Sequence, residues 1–394
     1  MVNELAYALI TPYSILKSRT GGIIGRLIAH ARVSLVGVRM FVFSDEFVDA
    51  YADQCCAPGT DPTMAEAWKR YVTENLRADN PWGFLPRCML LLFHGPDAVR
   101  HLKEDVIGSV TEQLVGDTVR GTYGDFLRHA DGSLRYFEPA VITAPTPHLN
   151  REHLRLFARY SGSDGGILTG RCTYPPGGNV ETCLVILKPD NFERPSRRPG
   201  NIIDVFSRTG LRIVGTKLFN MTVAQAEEFY GPLKDLFRTR LKGNVTQEVF
   251  ARLHTAFGFP FTMIDAERVA DMLAERNAVA EFNRIVEYMT GVNPEEISEP
   301  HIKATASRTK CLTLLYEGPD AIAKIRRQLG STDPTKAEAA TVRSEFGRDL
   351  MRNGAHASDS PASAERERKI VGMWQESGAD DIQRTIEAYL EGGE

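Results

Sequence analysis

The chain has 394 residues, of which 42% are hydrophobic and 25% charged, and its formal net charge is −4. That is the profile of a globular protein with length for two or three domains. It excludes a polybasic nucleic-acid binder, so any polyanionic ligand must be met by a local basic site.

In chain order, a short apolar strand runs to Pro12, an amphipathic helix spans about Gly22 to Ala31, and a β-rich run covers Val33 to Phe43. A helix then starts after Ser44, a residue type suited to capping. Another strand, Met89 to Phe93, precedes Gly-Pro-Asp-Ala, whose proline suits the first turn of a helix. The stretch "REHLRLFARY" closes this half as a helix. A Gly-, Pro- and Ser-rich segment, 160–181, reads as a linker. The same order then recurs: a strand to Pro189, a helix over Gly200 to Thr209, a β run over Leu211 to Phe219, a helix after Thr222, a strand from Cys311 to Tyr316, and Gly-Pro-Asp-Ala again.

The recurrence is a duplication. "ALITP" matches "VILKP", and "GGIIGRLIAHARVSLVGVRMF" matches "GNIIDVFSRTGLRIVGTKLF". Tyr51 matches Tyr230, an offset of 230 − 51 = 179, whereas the two Gly-Pro-Asp-Ala runs and the two Thr-Val-Arg runs are offset by 343 − 120 = 223. The second copy therefore carries an insertion of 223 − 179 = 44 residues, placed at about 238–280. Its two helical-period stretches, "TQEVFARLHTAF" and "DAERVADMLAERNAV", predict helices. The β-α-β…α-β-α order of each copy predicts an α+β fold. It comprises two ferredoxin-like, split βαβ sandwich domains with antiparallel sheets and a helical insertion in the second. The expected division is a first domain over 1–159, the linker over 160–181, and a second domain over 182–394.

No apolar run approaches the roughly 18 residues a membrane helix needs, and the N-terminus lacks a signal-peptide pattern. Six scattered cysteines without a C-x-x-C pair read as reduced thiols, so the expected location is cytoplasmic. Cys55 and Cys56 are adjacent, a spacing ill suited to a shared metal site or a mutual disulfide.

The second copy ends in "RNGAHASDSPASAERE", with His356 among small residues. Alone, such a histidine is an ordinary surface residue. Together with "VILKPD", "GLRIVGTKLF", "FNRIVEYMTG", "YEGPDAI", "GSTDPTKA" and "TVRSEF", it makes the second copy, over about 183–375, resemble the nucleoside diphosphate kinases. Several ordered landmarks, including the N-x-x-H-[GA]-S-D signature, carry the resemblance.

The resemblance implies transfer of a γ-phosphate from a nucleoside triphosphate to a nucleoside diphosphate, in ping-pong fashion through phosphorylated His356. Mg²⁺ is carried on the phosphates of ATP or another triphosphate. It implies that Lys188, Arg326 and Arg343 meet phosphates, that Thr332, Asn353 and Tyr230 assist, and that Glu367 orients the His356 ring. Ser358 and Asp359 support the site. Phe282 and Ile285 match nucleotide-facing positions, while Glu281 stands where the family has its base-stacking aromatic. The implied partners are nucleoside di- and triphosphates, with no nucleic acid and no membrane, in a homo-oligomer. The alternative reading is a nucleotide-sensing or phosphorelay protein on the same fold.

The first copy reads as degenerate. By the offsets, Lys188 maps to Thr11, Arg326 to Lys103, Arg343 to Arg120, Asn353 to Ala130 and His356 to Ser133. Without a histidine there, no phosphohistidine can form.

Overall fold

The computed structural model describes residues 3–111, 116–374 and 381–392. The expected resemblance runs to Gln375, just outside the described residues. The chain divides into two units, one made of Met1–Phe219 with Leu312–Glu394 and one of Asn220–Cys311.

In the first copy, β1 (Asn3–Ile10) leads into α1 (Pro12–Leu16) and α2 (Thr20–His30). Next come β2 (Ser34–Phe41), α3 (Asp45–Ala52), α4 (Pro62–Asn75) and β3 (Cys88–Pro96). Two short helices, α5 (Ala98–His101) and α6 (Val119–Tyr123), precede the hairpin β4 (Asp125–Arg128) and β5 (Leu134–Glu138). The copy closes with β6 (Val141–Ile142) and α7 (Pro147–Asp164). The sheet order is β2-β3-β1-β6, antiparallel at each pairing.

The second copy starts with β7 (Val180–Leu187), α8 (Arg198–Ser207) and β8 (Arg212–Phe219). The separate unit then holds α9 (Val223–Tyr230), α10 (Leu233–Leu253), α11 (Met263–Thr290) and α12 (Pro300–Lys303). Both α9 and α11 open with a capping box, on Thr222–Gln225 and Thr262–Asp265. The insertion expected at 238–280 is thus helical, as α10 and α11, which pack against each other. The chain returns through β9 (Cys311–Pro319), α13 (Ala321–Leu329), α14 (Val342–Phe346), β10 (Ala355–Ala357) and α15 (Pro361–Ile370), and ends in α16 (Asp381–Glu391). Its sheet order is β10-β7-β9-β8, the same topology as the first copy. The two split-βαβ sheets predicted from the sequence are therefore present.

Both sheets belong to one unit, and the copies meet closely. A Cβ built on Gly200 in α8 would lie 2.2 Å from the carbonyl oxygen of Gly21 and 2.5 Å from the nitrogen of Gly25, both in α2. Only glycine lets two helix backbones approach this far. The segment read as a linker is different in kind. Tyr160–Asp164 are the last turn of α7. Beyond them, the Gly166 amide donates to Met40 of β2 and the Leu168 amide to Val214 of β8. Period-3.6 patterning fades after Tyr160, which hid the helix end. The rest stitches two edge strands rather than hanging free.

The first copy's core is aromatic. Phe43 and Phe47 stack with ring centroids 4.0 Å apart, and Tyr7, Phe41, Tyr51 and Phe157 surround them. Ile382 and Ile386 of α16 enter this core, although α16 follows the second copy. Arg151 of α7 donates to the Leu390 carbonyl and lies over the Tyr389 ring. Among the described residues no helix is long and apolar enough to cross a membrane.

Candidate active site

His356 sits on β10, opposite Ile186 of β7, at the edge of the second sheet. The strand is short because Gly354 before it adopts φ +80°, a conformation that favours glycine. The Gly354 carbonyl accepts from the Lys188 amide at 3.1 Å and from Asn191 Nδ2 at 2.6 Å, which pins the turn. Ser360 then caps α15, its hydroxyl accepting from the Ser363 amide at 3.1 Å. Glu367 lies two turns into that helix and faces back to the strand.

Glu367 is buried, and its Oε2 receives two donors: His356 Nε2 at 3.0 Å and Ser358 Oγ at 2.7 Å. Donation to the carboxylate places the ring proton on Nε2 and the lone pair on Nδ1. The structure thus brings His356, Glu367 and Ser358 together. Asp359 precedes the cap. Hydrogen bonds from the Ser363 and Ser360 hydroxyls, with the charge of Arg326, hold its carboxyl below the usual carboxylate range.

The cations converge through backbone and amide contacts. Lys188, almost buried at the end of β7, donates to Asn353 Oδ1 at 2.7 Å and to the Met351 carbonyl at 3.0 Å. Asn353 in turn donates through Nδ2 to the carbonyls of Thr332 and Leu350. Arg343 donates through Nη1 to the Gly330 carbonyl and Thr332 Oγ1, and through Nη2 to the Ala355 carbonyl beside His356. Lys188, Asn353, Thr332, Arg343 and the His356 strand therefore form one connected shell. Arg326 is exposed on α13.

Tyr230, Phe282 and Ile285 belong to the other unit. Tyr230 ends α9 and packs on Phe229 with centroids 4.9 Å apart. Phe282 is buried on α11 with the Lys234 ammonium 4.1 Å from its ring centroid, and Ile285 is half-buried.

Sequence reasoning missed a supporting pair. Asp190, whose side chain is 1% exposed, binds Arg198 Nη2 at 2.7 Å. Arg198 Nε also donates to Asn191 Oδ1 at 2.8 Å, and its Nη2 donates to the Phe346 carbonyl. This brace fixes the Lys188 turn against the turn that follows α14. The Pro-Asp-Asn after Lys188 was the available signal, but the partner lies across a turn and matches no helical spacing.

The first copy requires a correction. Ile142 of β6 pairs with Leu9, as His356 of β10 pairs with Ile186, so Ile142 holds the His356 position, an offset of 356 − 142 = 214. Ser133 and Ala130 are not the counterparts of His356 and Asn353. They belong to the β4–β5 hairpin region, an extra 223 − 214 = 9 residues that the constant offset carried through. With the corrected register, Ala140 at φ +60° matches Gly354, Pro139 replaces Asn353, and His153 replaces Glu367. Thr11, in the Lys188 place, donates to the buried carboxylate of Glu138 at 2.9 Å. A negative group thus stands behind the position of the missing ammonium, and the nucleophile position is an isoleucine.

The nucleoside diphosphate kinase family model matches residues 181–237 and 234–374. Among curated proteins, the nucleoside diphosphate kinase of Picrophilus torridus is 31% identical over 191 residues, 48% of this chain and 94% of that protein. That of Staphylothermus marinus is 30% identical over 193 residues, 49% and 93% of the two chains. That of Symbiobacterium thermophilum is 26% identical over 211 residues, 54% and 97%.

Proposed function

Because the chain belongs to the nucleoside diphosphate kinase family, we propose that its second copy transfers a γ-phosphoryl group between nucleotides through His356. The observation that carries this reading is the Glu367 carboxylate fixing Nε2 of His356 beside a shell of cations.

The Nδ1 lone pair of His356 attacks the γ-phosphorus of a nucleoside triphosphate. An N–P bond forms, the bridging P–O bond breaks, and its electron pair leaves on the diphosphate. The Nε2 proton stays on the ring, which gains positive charge, and the Glu367 carboxylate stabilises that charge. A second diphosphate then attacks the phosphorus, the N–P bond breaks, and the lone pair returns to Nδ1. Phosphoryl transfer asks for positioning and charge neutralisation more than covalent assistance. Lys188, Arg343 and Arg326 supply the neutralisation, and Thr332 and Asn353 hold those groups in place; the family resemblance also assigns nucleotide contacts to Tyr230, Phe282 and Ile285 of the other unit. Ser358 holds Glu367, and Asp359 supports the site beside the cap of α15. Mg²⁺ enters with the substrate, on the nucleotide's phosphates. The proposed setting is cytoplasmic, in a homo-oligomer.

The test is labelling followed by a chase. With γ-labelled ATP and Mg²⁺, acid-labile, base-stable label is expected on the chain and absent from His356→Ala. Chasing with GDP should release it as GTP. Label that forms on His356 but does not leave would favour a phosphorelay or sensing role. No label on folded protein would sink the reading.

A further inference from the structure

The first copy keeps a cavity where the second has its candidate site. It measures about 450 Å³, and its wall includes Ile142, Lys103 and Arg120, the counterparts of His356, Arg326 and Arg343. Its chemistry is different, because sulfur lines it: Cys55, Cys56 and Met64 all face the same cavity.

The adjacency of Cys55 and Cys56 read in the sequence as ill suited to a shared metal site, but the turn after α3 brings both side chains to the cavity wall. Their Sγ atoms are 3.7 Å apart, and both residues are half-buried. Two metal–sulfur bonds of about 2.3 Å at the roughly 120° angle of a three-donor site set the sulfurs about 4.0 Å apart, within a small side-chain adjustment of the spacing found. Cys56 Sγ also lies 4.0 Å from the Ala65 carbonyl, next to Met64, at the start of α4. The Cys55 thiol also lies 3.3 Å from the Ala52 carbonyl, to which it donates. Arg120 and Lys103 in the same wall offset the negative charge of a bis-thiolate complex.

We propose that this cavity captures a soft, thiophilic monovalent cation, copper(I), on the thiolates of Cys55 and Cys56 with the Met64 thioether as third donor. Thiolate and thioether ligands select copper(I) over harder ions. Zinc, by contrast, seeks four nitrogen, sulfur or carboxylate ligands. In the binding step two Cu–S bonds form to the thiolates. Relative to the dithiol, two protons leave to solvent, and copper stays in the +1 state throughout. The proposal is independent of the phosphoryl-transfer reading.

The experiment is an anaerobic competition of the reduced full chain with a chromophoric copper(I) chelator. One copper(I) per chain is expected at high affinity, and it should be lost in the Cys55→Ser/Cys56→Ser variant. Met64→Leu should weaken binding by on the order of tenfold. X-ray absorption of the wild-type complex should show only sulfur in the copper shell, a readout that does not depend on a variant folding. Binding unchanged in the cysteine variant would assign the metal to other thiols and overturn the proposal. Nitrogen or oxygen in the shell, or no binding by the wild type, would do the same.

Discussion

Glu367→Gln separates charge from shape at the candidate nucleophile. The glutamine can present its oxygen to both donors that Oε2 now serves, His356 Nε2 at 3.0 Å and Ser358 Oγ at 2.7 Å. Both hydrogen bonds survive as neutral ones. A bond to a charged group contributes about 1.5–3 kcal/mol and a neutral one about 0.5–1.5, so each weakens by about 1 kcal/mol. The Ser358 bond exists before and during phosphorylation, so its weakening cancels from the rate. The His356 bond does not cancel, because the ring becomes positive only as the N–P bond forms. The phosphorylation rate should therefore fall about fivefold, the equivalent of about 1 kcal/mol. Glu367→Ala removes the acceptor altogether, and about 2–3 kcal/mol, or roughly a hundredfold, is expected. Rapid-quench labelling with γ-labelled ATP measures both. Wild-type rates in Glu367→Gln would refute the reasoning. So would a Ser358→Ala variant that loses as much as Glu367→Gln, since that would assign the effect to scaffolding.

Three further outcomes are expected. Gly200→Ala should destabilise the chain by about 1–3 kcal/mol in chemical denaturation. The new Cβ would meet backbone of α2 at 2.2 Å, an overlap that outweighs the roughly 1 kcal/mol of helix propensity that alanine adds. Burial lowers the folded-state pKa of His153 from 6.5 to about 4. Unfolded chains therefore bind its proton first, and the contribution is fully present above about pH 6.5 and is lost as pH falls towards 4. The difference in stability between wild type and His153→Gln should shrink by roughly 3 kcal/mol across that window, and a pH-independent difference would contradict it. Breaking the Asp190–Arg198 brace with Asp190→Ala leaves a partly exposed guanidinium with its Asn191 and Phe346 hydrogen bonds and should cost about 1–3 kcal/mol, read by thermal unfolding.

The duplication was legible because glycine, proline and apolar periodicity are local. Gly-Pro-Asp-Ala fixed both α5 and α13, and the helices of the insertion followed from their 3.6-residue pattern. His356, Glu367 and Lys188 were legible as a set because small residues and a capped helix frame them in sequence. Register was not. The β4–β5 hairpin added residues between two matching landmarks, and only strand pairing shows that Ile142, not Ser133, faces β1 in the His356 manner. The Asp190–Arg198 pair escaped because ion pairing across a turn has no spacing rule. The convergence of Cys55 and Cys56 escaped because adjacency alone says nothing about a turn that curls both side chains to one side.

The docking of α16 on the first copy has a consequence for synthesis on the ribosome. Ile382 and Ile386 complete the core that Phe47, Tyr51 and Phe157 begin. The nascent first copy therefore emerges with an apolar notch that stays uncovered while more than two hundred residues are translated. Chains normally settle N-terminal domains first. Here the early domain waits on the late helix, and a truncated product lacking α16 would carry that notch to the solvent or to a chaperone.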